Sequence, residues 1–114
     1  VTDFAREADL VNECRQLAAA MGAYLEVVGQ RRARGSGTTV GAPDAFLYAS
    51  GKCLPVEFKR HDGRLSAGQA LAQHKRMDQH VHTWIIRSTD EFIALVNACR
   101  RGHSVQPDSG GEER

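Results

Sequence analysis

Two acids and one amine carry the chemistry that can be read from this chain. Asp44 follows Pro43 at the start of a short apolar run, and Glu57-Phe58-Lys59 closes the next run. If the two runs pair as a hairpin, the start of the first lies beside the end of the second. Asp44, Glu57 and Lys59 then meet at one end of a β-ribbon. Residues two apart on a strand project from the same face, so Glu57 and Lys59 share a face while Phe58 turns to the other, where a core is expected. Carboxylates are hard oxygen ligands for Mg²⁺ or Mn²⁺, ions that keep several waters and also touch phosphate. Such an ion polarises a phosphoryl group and acidifies a water, so the set suits phosphodiester hydrolysis. Asp44, Glu57 and the main-chain carbonyl of Phe58 are the expected metal ligands, and Lys59 is placed to act on the attacking water. Its cation is expected to keep both acids ionised until metal binds. Singly, each residue has a plainer explanation: Asp44 as a turn acid, Glu57 and Lys59 as a solvated ion pair worth little. Their joint spacing favours a site.

The elements that must position these residues follow from periodicity. Apolar residues at Leu10, Val11, Cys14, Leu17, Ala18 and Met21 predict a helix over 3–21, ended by Gly22. Residues 23–28 read as a strand. Residues 29–41 form a basic, glycine-containing loop. Strands over 45–49 and 53–59 flank the turn Ser50-Gly51-Lys52, with Pro55 expected at an edge or bulge because it lacks a ladder donor. Ser66 and Gln69 have capping-box spacing and open a helix to about His80, with Ala70, Leu71, His74 and Met77 on its apolar face. Residues 83–87, β-branched and aromatic, predict a strand in which Trp84 is core. Ser88 caps a last helix whose apolar face holds Phe92, Ile93, Leu95, Val96 and Cys99, ended by Gly102. The order αβββαβα implies an α/β fold with a small mixed sheet flanked by helices. A right-handed crossover through the Ser66 helix makes the last strand parallel to the Glu57 strand. One domain over 1–102 is expected, with a disordered polar tail over 103–114.

Composition narrows the setting. The chain has 114 residues, 41% of them hydrophobic, enough for one small core. Fifteen Lys and Arg against 14 acids leave no global charge to attract a polyanion, so a nucleic-acid surface must gather its cations locally. Arg31, Arg32 and Arg34 in the loop, with Arg60 and Arg64 beside the acids, are the candidates. Cys14, Cys53 and Cys99 lack C-x-x-C spacing and are expected as buried free thiols. His74, His80 and His82 lack the i, i+4 spacing of a helical zinc site and read as packing or surface residues. No stretch reaches the ~20 apolar residues of a membrane helix, and no signal-peptide pattern opens the chain. The expectation is a soluble, cytoplasmic protein.

Gly41-Ala42-Pro43-Asp44, Gly51, Val56-Glu57-Phe58-Lys59-Arg60, Gly63-Arg64-Leu65-Ser66 and Gln69, followed by Ile85-Ile86-Arg87-Ser88 and a helix, occur in an order and spacing that resemble the VRR-NUC branch of the PD-(D/E)XK nucleases. The likeness runs from about Glu7 to Cys99 and resembles the stand-alone phage or bacterial members. It implies a restriction-endonuclease-like core of a metal-dependent DNA endonuclease or exonuclease, and the stand-alone members it resembles imply an endonuclease acting as a homodimer on branched DNA, such as four-way junctions or flaps. It also implies that Glu7, on the first helix, joins the site as a further metal ligand (in preference to Glu13), and that Gln69 is a site residue besides its capping role. One departure is visible. Relatives often carry Arg or Asn near the end of the first strand, where this chain has Val27, Val28, Gly29 and Gln30. Readings from another class are a non-catalytic DNA-binding module and a subunit of a phage DNA-processing assembly.

Overall fold

A computed structural model describes residues 6–28 and 41–102. The basic loop with Arg31, Arg32 and Arg34 and the tail over 103–114 lie outside the described residues. Within them the chain runs α1 (Glu7–Ala20), β1 (Tyr24–Val27), β2 (Ala45–Ala49), β3 (Lys52–Phe58), α2 (Ala67–Asp78), β4 (Trp84–Ile86) and α3 (Thr89–Arg100). Each expected element is present, with ends shifted by a residue or two except at the start of the first helix, which begins at Glu7 after an extended Arg6 rather than at residue 3.

The strands form one sheet in chain order. β1 and β2 pair antiparallel, as do β2 and β3, and β3 and β4 pair parallel. The crossover through α2 therefore joins parallel neighbours, as the connection rule requires. Side chains alternate across this sheet. Leu25, Leu47, Val56, Phe58 and Ile86 are buried on one face, where α1 contributes Leu10, Cys14 and Ala18 and α3 contributes Phe92, Leu95, Val96 and Cys99. Trp84 is half-buried and packs against this core. Cys14 and Cys99 are buried thiols, and burial pushes Cys14 up to about 12. Cys53 is exposed, contrary to expectation, because it stands on the sheet's other face opposite Tyr48.

Pro55 lies within β3, opposite Phe46. The Phe58 N–H points to the β2 side and the Lys59 N–H to Ile86 on the β4 side. Counting back by twos puts the Pro55 nitrogen on the β4 side, where β4 pairs only with Val56 to Phe58. The missing donor thus leaves no ladder bond unmade.

α2 departs most from the sequence pattern. Ala70, Leu71, His74 and Met77, expected to face a core, are all exposed, and no residue of α2 is buried. The helix instead turns inward the side bearing Gly68, Gln69, Ala72, Gln73 and Arg76. The physical reason is that α1 and α3 already fill the apolar face of the sheet, and α2 carries small and polar groups toward the turn before β2 and toward Glu57. Gly41 on that turn has φ +84, and a Cβ there would lie 2.5 Å from the Gly68 carbonyl oxygen and 2.7 Å from the Ala72 Cβ. Only glycine satisfies both the left-handed backbone and that approach.

Candidate active site

The β2–β3 register, Ala45 opposite Val56, sets Asp44 opposite Glu57 at the open end of the hairpin. Val56 and Phe58 face the core, so Glu57 between them projects from the other face. The Asp44 carboxylate reaches across the ribbon and accepts the Phe58 backbone N–H at 2.8 Å through Oδ2. Its backbone carbonyl accepts the Val28 N–H at 2.8 Å, extending the β1–β2 ladder. Asp44 is thereby fixed from both sides. Its carboxyl group is also close enough to that of Glu57 to interact with it. The two acids share one face and one location.

Glu57 is fully buried. Burial first, then the charge of Asp44 and the hydrogen bond to it, push Glu57 up to about 8, while Lys59 and Arg76 pull the other way. Ionisation of both acids, expected from the nearby lysine, is therefore corrected: desolvation and carboxyl crowding outweigh the cations. Lys59 is 9% exposed, and its backbone N–H bonds to Ile86.

Gln69 serves two roles at once. Its Oε1 accepts the Ser66 N–H at 2.9 Å and the Ser66 hydroxyl accepts the Gln69 N–H at 3.1 Å, completing the capping box. Its Nε2 donates to Glu57 Oε1 at 3.3 Å. The cap thus holds the amide at an angle that addresses the acid. Glu57 Oε2 is buried with no hydrogen-bond partner, and Arg76 Nη2 stands 4.0 Å from it.

Glu7 opens α1 and is exposed. Among the described residues no three His, Cys, Asp or Glu side chains form a group that could hold a metal ion, so Glu7 is not grouped with Asp44 and Glu57. Arg60 and Arg64 are exposed on the segment between β3 and α2, where Arg60 pairs with Asp62 at 3.4 Å. Arg87 holds this segment by donating to the Arg60 carbonyl at 2.8 Å and the Gly63 carbonyl at 2.7 Å. The residue near Glu57 that sequence reasoning passed over is Arg76, and Gln73 stands on the same side of α2. Their signal was a polar stripe at Gln69, Gln73 and Arg76, running beside small residues at Gly68 and Ala72.

The donor set fits a small, hard divalent cation. Two neighbouring acids, one with a buried oxygen that accepts no hydrogen bond, are donors that such an ion would use. Mg²⁺ is commonly held by one or two carboxylates with waters completing its shell, so two acids suffice.

No protein-family model matches the chain, and no curated protein matches it significantly. A solved structure described as a VRR_NUC domain is similar: the match covers 80% of this chain and 94% of that one, with a TM-score of 0.61 at 16% sequence identity. At that identity the likeness is one of fold, and it is consistent with an α/β restriction-endonuclease-like core. Among the described residues, no helix is long and apolar enough to cross a membrane.

Proposed function

We propose that this chain is a divalent-cation-dependent DNA nuclease domain that hydrolyses phosphodiester bonds at Asp44, Glu57 and Lys59. One observation carries the reading: Asp44 and the buried Glu57 stand opposite each other at the open end of the β2–β3 hairpin, close enough to interact and two residues from Lys59, and Glu57 Oε2 accepts no hydrogen bond. Asp44, Glu57 and the Phe58 carbonyl would hold Mg²⁺ or Mn²⁺, which supplies Lewis-acid polarisation of the phosphoryl group and a more acidic water. The chain's residues do the rest. Asp44, pinned by the Phe58 N–H, and Glu57, held by Gln69, present two preset oxygens. The Lys59 ammonium orients the attacking water and offsets charge on the phosphoryl oxygens. The water oxygen bonds to phosphorus as the bond to the leaving sugar oxygen breaks, and the proton that the water gives up ends on that leaving oxygen. Glu7 as a further metal ligand remains part of the reading by resemblance alone.

The basic residues Arg31, Arg32, Arg34, Arg60 and Arg64 supply phosphate contacts, which makes binding salt-dependent. The finer reading is selectivity for branched DNA by a homodimer of the stand-alone phage or bacterial type. Leu71, Met77 and Val81 are exposed apolar side chains and give such a dimer a surface. The deciding test incubates the chain with linear, flapped and four-way DNA in Mg²⁺, in Mn²⁺ and in EDTA, and maps the cuts. Cation-dependent cleavage lost in Asp44→Ala is the expected result. DNA binding with no cleavage under any condition would instead leave a non-catalytic binding module.

A further inference from the structure

Three buried side-chain nitrogen or oxygen atoms lack a hydrogen-bond partner among the described residues: Glu57 Oε2, Gln73 Nε2 and Arg76 Nη2. Buried polar groups without partners are rare in folded proteins. Gln73 and Arg76 follow Gln69 by four and seven residues on α2, so all three lie on one helical face. That face bears Gln69, already bonded to Glu57.

Arg76 is spent in an unusual way. Its Nε donates to the Thr83 hydroxyl at 2.6 Å, and its Nη1 donates to the Gly41 carbonyl at 3.3 Å. Thr83 is buried just before β4. Gly41 lies three residues before Asp44, with buried Pro43 between them. A guanidinium is planar and holds its donors in fixed directions. Two anchored nitrogens therefore fix where the third points, and Nη2 points toward Glu57 Oε2 at 4.0 Å. That gap is too long for a hydrogen bond. One rigid group thus ties together the helix carrying Gln69, the approach to β4 and the turn leading into Asp44, and it faces the open oxygen of Glu57.

We propose that Arg76 is a positioning residue of the active site, which fixes the Asp44-bearing turn relative to Glu57 and so sets how the two carboxylates present themselves to a divalent cation. This rests on the reading that Asp44 and Glu57 hold that cation. Arg76 itself touches neither substrate nor ion. The fork matters as well as the charge, because a lysine ammonium cannot bond Thr83 and Gly41 in one plane.

The test titrates Mn²⁺ into the full chain, Arg76→Lys, Arg76→Met and Thr83→Val by calorimetry, with thermal melts in EDTA alongside. Arg76→Lys keeps the charge and loses the fork, and its Mn²⁺ Kd rises about tenfold, as for other residues that orient metal ligands. Arg76→Met weakens binding at least as much. Thr83→Val frees one anchor without changing shape and raises the Kd by a few-fold, which keeps the test decisive if Arg76→Met does not fold. Lower melting temperatures with Mn²⁺ affinity unmoved in Arg76→Lys and Thr83→Val would make Arg76 a structural staple and overturn the proposal. Tighter binding by Arg76→Met with Arg76→Lys unchanged would overturn it too, since charge alone would then be acting. No Mn²⁺ uptake by the wild type would sink the cation-site reading itself, a failure visible before any variant is made.

Discussion

Replacing Glu57 with glutamine should stabilise the protein at neutral and alkaline pH while removing its cation site. The carboxyl group is buried beside Asp44, and its proton is held up to about 8 against an ordinary value of 4.5. Between those values the folded chain keeps a proton that the unfolded chain has released. Unfolding then becomes easier as pH rises, and the loss levels off above the folded value. At about 1.4 kcal/mol per unit, wild type in EDTA loses at most about 4 kcal/mol between pH 5 and pH 8. Glutamine has nothing to ionise. Its oxygen can accept from Gln69, so that bond survives. Stabilities of wild type and Glu57→Gln from urea melts in EDTA should therefore lie close at pH 5 and diverge steadily to pH 8, with the variant the more stable. In thermal melts the gap amounts to several degrees per kcal/mol for a domain of this size. Parallel pH profiles for the two proteins would refute the reasoning, because they would mean that Glu57 ionises alike in both states.

Other outcomes follow from the same site. Cation affinity should climb with pH by up to about tenfold per unit below pH 8, since binding displaces the Glu57 proton; calorimetry in buffers of different ionisation enthalpy counts the proton released. Asp44→Ala and Lys59→Ala should each lower cleavage by about 10³-fold, with circular dichroism showing both variants folded. Gly41→Ala forces a side chain into the Gly68 and Ala72 contact at positive φ and should cost about 2–5 kcal/mol, measured by urea melts. If two copies pair, Leu71→Asp should shift the mass seen by light scattering from dimer to monomer, with the melting temperature little changed because Leu71 is exposed.

Much of the fold could be read from the sequence because its signals were local. Alternating side chains placed Glu57 opposite in direction to Val56 and Phe58, and the short Ser50-Gly51 turn fixed the hairpin that sets Asp44 across from it. The Ser66–Gln69 box gave the start of α2. What escaped were quantities set by three-dimensional crowding. Lys59 promised ionised acids, yet burial of Glu57 against Asp44 outweighs that cation. The Leu71 and Met77 periodicity promised a core-facing stripe, yet α1 and α3 occupy the core and α2 addresses the site with Gln69 and Arg76. A pattern of apolar residues shows that a helix has two unlike sides, but not which side meets the protein. Cys53 failed for a similar reason, because its side of β3 carries no layer over that end of the sheet.

The mounting of α2 has a dynamic consequence. A helix whose inward side is only half-buried and mostly polar is held by directional bonds at a few points, and such attachments break without exposing much oily surface. Its release is therefore far less expensive than melting the whole molecule. Deuterium should enter the amides of α2 well before those of α1 and α3, which sit in the core. Because Gln69 travels with α2, each such excursion also uncovers the carboxyl pair, so the site breathes at the tempo of its most loosely moored helix.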